Sequence, residues 1–423
     1  MARFAVTPVD APLDHPLAVR LADLPALREV VVQSAMRDGF GRPLGAEATF
    51  TTNEEGELDL TTTAPDSGGY NGVDPMGLVW SMTPRPSEEP WRKSSTVLPP
   101  VTITFTALLD GEPVAETIIK RRRLPKGVAR RVVRDNGLIG TLFHTDDGRA
   151  HPGVLLLGGS EGGLHEADAA LLAAHGFTVL ALAYFGLRGV PQWLVDIPVE
   201  YFGAALGFLR AQDSVSHARL GVVGGLRGGE AALLIGSAFP DVRAVVSIVG
   251  SGVLTQGIGE GANLLGILGN TVPAWTAEGD PLPFVPNDIT DDLVTQVESG
   301  GPVRMSSAFP KDHPPETEIP VERIRGGVLL ISAGDDGIWP STKYSAIAAD
   351  RLATQDHVFP FEHVDYPDAG HLIAAPPFGP SGENTIPGPG VALDTGGTPG
   401  SNAAARADAW PRVVEFLTTN LKP

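Results

Sequence analysis

Residues 221–230 read GVVGGLRGGE, and this stretch decides the fold that the sequence predicts. Its outline is that of a nucleophile elbow, Gly-x-Ser-x-Gly, a sharp strand-to-helix turn that lifts one side chain above a sheet. Gly224 and Gly228 flank the turn, but the raised position holds Leu226 instead of serine. A leucine side chain can neither attack a carbonyl nor transfer a proton. The sequence therefore predicts an elbow that cannot form a covalent intermediate.

Composition excludes several classes of protein. The chain has 423 residues, 42% of them hydrophobic, and a net charge of −19, so a nucleic-acid partner is not expected. It contains no cysteine, which excludes a thiolate nucleophile and disulfides. The longest apolar runs have the length of strands and are too short to span a membrane. Because the first residues lack the apolar core of a signal peptide, we expect a cytoplasmic protein. The excess of arginine over lysine and the many Gly, Ala and Pro residues suggest a bacterial source.

Residues 1–137 are predicted to form an all-β domain. Short β-branched or alternating segments follow one another at 30–32, 48–51, 58–61 and 101–105. Turn-forming residues separate them, for example NEEG at 53–56. Short strands at this spacing are typical of a β-sandwich.

Residues 138–423 are predicted to form an α/β domain, because strand-like and helix-like segments alternate there. Such alternation produces a mostly parallel sheet with helices on both faces. The stretch 254–320 is rich in Gly, Pro and Asp, and we interpret it as an excursion over the site. A second Gly/Pro-rich loop, 376–400, precedes the last helix.

Two residues are candidates for the remainder of a catalytic triad. Asp336 lies in GDDGIWP (334–340) and His371 ends YPDAGH (366–371), each just after a predicted strand. The order elbow, acid, base is that of the α/β-hydrolase fold, which we therefore predict. Asp335 competes with Asp336 for the acid position. Alternatively, the aspartate only caps its loop and the histidine is an ordinary surface residue.

An oxyanion hole requires two backbone N–H groups directed at one point. We expect one from Arg227, the residue after the elbow position, and the other from Gly159 or Ser160 in GGSEGG (158–163). Alternatively, the second segment is only a glycine-rich turn. It lacks the strict Gly-x-Gly-x-x-Gly spacing of a dinucleotide site, so no dinucleotide is expected there. We expect neither a cofactor nor a metal, and the absence of cysteine excludes a thiolate metal site.

Five aromatic residues are expected near the mouth of the site, where they would form a platform for a large flat substrate or simply pack in the core: Tyr184, Phe185, Trp193, Trp275 and Trp339. Eight basic residues are clustered around the junction of the two domains, as a docking site for phosphates such as those of coenzyme A or as solvated charges: Lys120, Arg121, Arg122, Arg123, Lys126, Arg130, Arg131 and Arg134.

Four further segments resemble one family, the acyl-CoA thioesterases and bile acid-CoA:amino acid N-acyltransferases. They are GVDPMGLVWSM (72–82), ALAYFG (181–186), IPVEYF (197–202) and GHLI (370–373). The resemblance covers nearly the whole chain. It implies cleavage or transfer of acyl groups from coenzyme A thioesters by a serine or cysteine at the elbow, with Asp336 and His371 as its partners. Leu226 departs from that pattern at the position of the nucleophile.

Three functions remain open from the sequence. In the first, His371 oriented by Asp336 performs non-hydrolytic acid–base chemistry, such as cyclisation, elimination or C–C bond formation, on a bulky molecule in secondary metabolism, with Leu226 as an apolar floor. In the second, acyl-CoA thioesterase or acyltransferase chemistry continues through water activated by His371 or through a displaced serine, Ser160 or Ser251. In the third, the protein binds an apolar or acyl ligand without catalysis.

Overall fold

The computed structural model describes residues 1–39, 41–86, 98–310 and 312–421, without the side chains of residues 217 and 218. The chain forms two compact units. One comprises Met1–Lys126 with Pro376–Glu383, and the other comprises Gly127–Ala375 with Asn384–Pro423.

In its described residues, the first unit is built from β-strands and one short helix, α1 (Gly77–Trp80). Its strands are β1 (Arg3–Thr7), β2 (Asp10–Pro12), β3 (Ala18–Ala22), β4 (Glu29–Arg37), β5 (Pro43–Thr51), β6 (Leu58–Asp59), β7 (Ser67–Gly68), β8 (Thr83–Pro84), β9 (Val101–Leu109) and β10 (Glu112–Arg122). They form a three-stranded sheet, β1-β3-β6, and a seven-stranded sheet, β2-β10-β9-β4-β5-β7 with β8 on β5.

A shared apolar core joins the two sheets of the first unit. Alternate residues of β9 are buried, including Ile103 and Phe105, as expected for strands with one face toward a core. The ring of Phe105 lies 6.4 Å from that of Phe4 in the other sheet. The unit therefore has the two-layer arrangement that the sequence predicts.

The second unit is an α/β-hydrolase fold around an eight-stranded sheet of order β11-β12-β14-β13-β16-β17-β20-β21. The strands of the whole unit, including those of two small additional sheets, β15-β18-β19 and β22-β23, are β11 (Val128–Val133), β12 (Ile139–Thr145), β13 (His151–Leu157), β14 (Thr178–Ala183), β15 (Ile197–Pro198), β16 (Val215–Gly225), β17 (Val242–Ile248), β18 (Trp275–Ala277), β19 (Asp280–Pro281), β20 (Gly327–Ala333), β21 (Phe361–Tyr366), β22 (Thr385–Pro387) and β23 (Ala392–Asp394). Its helices are α2 (Glu166–Ala174), α3 (Val199–Arg210), α4 (Arg227–Ala238), α5 (Leu264–Gly269), α6 (Asp291–Ser299), α7 (Ser341–Thr354) and α8 (Pro399–Leu421).

The central strands of this sheet are parallel, and only the β11–β12 and β12–β14 pairs run antiparallel. β14 and β20 are buried along their whole length, because helices cover both faces of a parallel sheet. The carboxyl ends of β13, β16, β20 and β21 meet at one edge. Ligands bind at this edge in open α/β sheets, so the topology fixes where the site must be.

Two features differ from the sequence-based outline. The boundary between the units falls at Lys126, earlier than residue 137, because β11 pairs antiparallel with β12 and so extends the second sheet. The loop 376–400 is divided, since residues 376–383 belong to the first unit. No helix in the described ranges is long and apolar enough to cross a membrane.

Candidate active site

The turn between β16 and α4 has the geometry of a nucleophile elbow. Leu226 occupies the position before α4 with φ 58° and ψ −123°, a conformation that side chains with a β-carbon rarely adopt. Its N–H donates to the carbonyl of Ile248 at 2.9 Å. A β-carbon at Gly224 would lie 1.9 Å from the carbonyl oxygen of Gly228, and one at Gly228 would lie 2.5 Å from that of Gly158. Both flanking glycines are therefore required for this close packing, and leucine bears the backbone strain, about 1–3 kcal/mol.

Asp336 and His371 form a buried pair. Nδ1 of His371 lies 2.9 Å from Oδ2 of Asp336, and both residues are buried. The other oxygen of Asp336 accepts from the N–H groups of Ile338 at 2.9 Å and Trp339 at 3.2 Å, which fixes the carboxylate. A carboxylate on Nδ1 sets the tautomer of the imidazole and directs Nε2 to the ligand.

Asp335, the competing acid, turns away from the histidine. Its carboxylate pairs with Arg304 at 2.7 Å and accepts from the N–H of Gly397 at 2.8 Å. It is exposed and secures the loop after β23. The geometry thus separates two adjacent aspartates that the sequence left as alternatives.

A cavity of about 540 Å³ lies above the elbow, and both Leu226 and His371 line it. Such a volume accommodates a drug-sized molecule or the acyl part of a larger one. Its wall is mostly apolar, with contributions from the excursion and from the last loop: Ile258, Leu264, Ile267, Leu268, Met305, Phe309, Ile338, Ile386 and Leu393. The excursion predicted at 254–320 therefore supplies much of the ligand-facing surface.

The five aromatic residues proposed as a substrate platform are not brought together. Trp339 lines the cavity, donates from Nε1 to the carbonyl of Val249 at 2.8 Å and meets the His371 ring edge-on at 6.2 Å. The other four are outside the cavity lining: Tyr184, Phe185, Trp193 and Trp275. Three of them are buried in the core beneath it, where their rings pack against one another, and the fourth is partly exposed. Packing energy, not ligand contact, explains those three buried positions.

Arg227 contributes both a backbone N–H and a buried side chain. As the first residue of α4 it has an N–H without an intrahelical acceptor, at the positive end of the helix dipole. Its guanidinium pairs with Glu230 at 3.0 Å and lies 5.8 Å from the Trp339 ring centroid. The N–H of Arg227 is therefore suited to stabilise an oxyanion in the cavity.

Glu230 anchors the elbow from below. It is fully buried and accepts from Nε1 of Trp275 at 2.6 Å and from the Thr255 hydroxyl at 2.7 Å. Burial raises the pKa of Glu230, while Arg227 and the two donors oppose that rise. Glu230 is not among the residues predicted from the sequence, although a glutamate inside the apolar helix α4 is a signal of a buried ion pair.

The second oxyanion-hole segment follows β13 and lines the cavity at Gly159 and Ser160. The N–H of Gly159 is already engaged, because it donates to Oε1 of Glu161 at 3.3 Å. A β-carbon on Gly159 would lie 2.7 Å from the Leu226 side chain, so the two segments are in close contact. This contact requires glycine at position 159.

Ser251, proposed as a displaced nucleophile, is fully buried and outside the cavity lining. Its hydroxyl donates to the carbonyl of Val253 at 2.6 Å and accepts from the same residue's N–H at 3.1 Å. These bonds serve the local turn. Ser160 is exposed and lines the cavity, but its place in the oxyanion segment differs from that of an elbow nucleophile.

A second group of charged residues lines the cavity and was missed in the sequence. Glu161, His165 and Asp168 flank the start of α2, and Arg406 of α8 lies on the same wall. His165 contacts both carboxylates, Glu161 at 2.5 Å and Asp168 at 3.4 Å. The spacing of three residues between His165 and Asp168, at the start of α2, is a signal that could have revealed these two, because it puts side chains on one face of a helix. Glu161 precedes α2 and reaches His165 through the turn at Gly162 and Gly163.

The basic cluster is divided between the two units and has local partners. Arg122 and Lys126 pair with Asp10 at 2.5 Å and 3.1 Å, while Arg130 pairs with Glu166 at 2.7 Å. The positions up to Lys126 belong to the first unit and the later ones to the second. These pairs support structural charges more than a phosphate site. Arg121 differs from the prediction of solvated charges, because its side chain is buried.

Comparisons with known proteins give the family. The chain matches the model described as the N-terminal region of acyl-CoA thioester hydrolase/BAAT over residues 14–135 and the model described as the BAAT/acyl-CoA thioester hydrolase C terminal over residues 197–423. It is 32% identical to mouse acyl-coenzyme A thioesterase 6, covering 96% of this chain and 93% of that one. It is 31% identical to mouse acyl-coenzyme A thioesterase 1, covering 96% and 94%.

A third relative is named for acyl transfer. The chain is 29% identical to mouse acyl-coenzyme A amino acid N-acyltransferase 1, over 100% of this chain and 98% of that one. The two matching models leave residues 1–13 and 136–196 uncovered, whereas the three relatives each cover 96% or more of the chain. This chain therefore belongs to the acyl-CoA thioesterase and bile acid-CoA:amino acid N-acyltransferase family.

Proposed function

We propose that this protein cleaves the thioester of an acyl-coenzyme A with a bulky apolar acyl group, by direct attack of water and without a covalent acyl-enzyme. The observation that carries the proposal is the buried His371–Asp336 pair, 2.9 Å apart, on the wall of the same cavity as Leu226. The pair provides a histidine base and an aspartate partner at the positions where the family pattern implies them. The names of the relatives support a coenzyme A thioester as the substrate class.

His371 performs both proton transfers of this reaction. Its Nε2 takes a proton from water as the water oxygen attacks the thioester carbonyl, and Asp336 stabilises the resulting imidazolium. The tetrahedral oxyanion accepts from the N–H of Arg227. When the C–S bond breaks, the imidazolium returns its proton to the leaving sulfur. The products are a carboxylic acid and the free thiol of coenzyme A.

Leu226 contributes to binding instead of bond formation. It lies in the floor of the cavity among other apolar side chains and cannot be acylated. Loss of a triad nucleophile typically lowers turnover by about 10⁶-fold. Substrate binding and the oxyanion hole still accelerate the reaction relative to the uncatalysed one. We therefore expect slow hydrolysis of simple acyl-coenzyme A esters and the best rates for acyl groups that fill the cavity.

Acyl chemistry is better supported than the non-hydrolytic chemistry that the sequence also suggested. Every relative described above is named for action on acyl-coenzyme A, and none of these names points to cyclisation or elimination. Transfer to an amine is the closest variant, since His371 would deprotonate an amine as it deprotonates water. An assay with glycine as acceptor separates the two outcomes by the mass of the product.

Ile267→Trp is expected to narrow the cavity and to discriminate by acyl length. Ile267 of α5 lines the apolar wall, so a larger side chain there should exclude a long acyl group and admit a short one. We expect kcat/KM for octanoyl-coenzyme A to fall at least about 10-fold while that for acetyl-coenzyme A is unchanged. Release of free thiol measures both rates.

Ile289→Trp is the matched control for this substitution. Ile289 lies in the same excursion, is exposed and does not line the cavity, so its substitution should leave both rates unchanged. Equal losses for octanoyl and acetyl substrates in Ile267→Trp would contradict an acyl site in this cavity. Absence of thiol release from acetyl-, octanoyl- and palmitoyl-coenzyme A in the parent would contradict the proposed function.

A further inference from the structure

Glu161, His165 and Asp168 form a charged chain on the cavity wall that the mechanism above does not use. Nε2 of His165 lies 2.5 Å from Oε1 of Glu161, and Nδ1 lies 3.4 Å from Oδ2 of Asp168. All three residues line the cavity, as does Arg406. No His, Asp and Glu grouping in the described ranges has the arrangement of a metal site.

The carboxylate of Glu161 is a neighbour of the elbow side chain. A β-carbon built on Gly159 would lie 2.7 Å from Cβ of Leu226 and 2.9 Å from Oε2 of Glu161. Both atoms therefore approach one point, just beside the position from which an elbow serine would act. Oε2 of Glu161 thus lies next to the position where the hydroxyl of an elbow serine would be and where Leu226 has only carbon atoms.

The two oxygens of Glu161 have different environments. Oε1 is held by His165 and by the N–H of Gly159, at 2.5 Å and 3.3 Å. Apart from the backbone N–H of Glu161 itself, which also contacts the carboxylate, no described residue donates a hydrogen bond to Oε2. The side chain is 52% exposed, so Oε2 can accept from a water in the cavity.

The charges around Glu161 keep it ionised. Burial opposes the positive charge of His165, but its hydrogen bonds to Asp168 and Glu161 outweigh burial and raise its pKa to about 10. Burial opposes the negative charge of Glu161, yet the contact with His165 outweighs it and lowers the pKa of Glu161. With Arg406, the group contains two anions and two cations. This balance limits repulsion of an oxyanion that forms nearby.

We propose that Glu161 holds the attacking water in the place of the missing elbow hydroxyl, with His165 and Asp168 as its positioning residues. This inference rests on the proposed function. One hydrogen of the water is donated to Oε2 of Glu161, and the other is transferred to Nε2 of His371. The water oxygen forms the new C–O bond, the C–S bond breaks, and the proton on His371 passes to sulfur. Glu161 keeps its charge and gains no proton.

The test is hydrolysis of octanoyl-coenzyme A by Glu161→Gln and Glu161→Ala. Glu161→Ala removes the acceptor. In Glu161→Gln the amide oxygen stays with the donors at Oε1 and an NH2 group takes the place of Oε2. Either change misplaces the water, so we expect kcat to fall about 10²-fold with KM unchanged. Glu161→Ala leaves the N–H of Gly159 and the His165 imidazolium facing an empty space, which is an anion site. Added formate should therefore restore part of the kcat of Glu161→Ala. Glu260→Gln, an exposed glutamate outside the cavity lining, should have the parental rate with or without formate.

Each result supports or overturns the inference. Parental kcat in both Glu161 variants overturns it while leaving the proposed function intact. A loss of kcat that formate does not restore, or a fall in the melting temperature that accounts for the loss, shows a structural role and also overturns it. If the parent releases no thiol, or if its thiol release does not depend on His371, the proposed function and this inference fail together. A loss restored by formate, with unchanged melting temperature, supports it.

Discussion

Leu226→Ser is expected to turn the protein into one that a fluorophosphonate probe labels covalently. Leu226 already has the backbone conformation of an elbow, and His371 with Asp336 lines the same cavity. A hydroxyl at this position would gain a general base, an effect of about 10²–10⁴ in rate. Hydrolysis of p-nitrophenyl butyrate should rise by about the same factor above the parent. Labelling followed by intact-mass measurement reports whether one serine is modified.

Two controls define this result. Leu226→Ala removes the leucine without adding a hydroxyl, and it should neither label nor gain hydrolysis. Leu226→Ser combined with His371→Ala should lose the labelling, because the serine then lacks its base. A folded Leu226→Ser protein that does not label would mean that the elbow and the histidine are not arranged for acyl chemistry.

His371→Ala is expected to lower thiol release from octanoyl-coenzyme A by about 10²–10⁴-fold without changing the fold. The reason is that the proposed mechanism assigns both proton transfers to His371. Asp336→Asn should also reduce the rate, since an amide on Nδ1 favours the wrong imidazole tautomer. The measurement is the initial rate of thiol release, with melting temperature as the check on folding.

Asp335→Asn is the matched control for Asp336→Asn, because it makes the same chemical change one residue away. Asp335 pairs with Arg304 and has no contact with the histidine ring, so its substitution should leave the rate unchanged. Equal losses in the two asparagine variants would argue against Asp336 as the orienting acid. A fully active His371→Ala would contradict the proton transfers assigned to His371 and would leave catalysis by confinement of the substrate.

The positions of Asp336, His371 and the elbow were predictable because they follow from order and topology. In an open α/β sheet, residues just after parallel strands meet at one edge, so motifs that are far apart in sequence come together. The two glycines of the elbow predict its geometry, because a β-carbon at either Gly224 or Gly228 would clash with neighbouring backbone atoms. Short-range patterns with a single steric solution are thus readable from sequence.

The aromatic residues and the Glu161 group were not predictable in the same way. Tyr184 and Trp275 follow or begin strands near the site, but only packing decides whether such a ring faces a ligand or the core. Glu161 and His165 lie in a turn whose path depends on positive φ at Gly162 and Gly163. The first compact unit ends before the predicted boundary for a related reason: β11 pairs with β12, and strand pairing is a non-local property.

Acid-quenched single turnover of octanoyl-coenzyme A tests the central claim most directly. Excess parent protein is mixed with the thioester, quenched at intervals, and analysed for free thiol and for the intact mass of the protein. We predict that thiol appears together with octanoic acid while the protein mass stays unchanged at every time, since Leu226 cannot be acylated. A transient increase in protein mass by one octanoyl group, formed as thiol is released, would contradict direct attack by water.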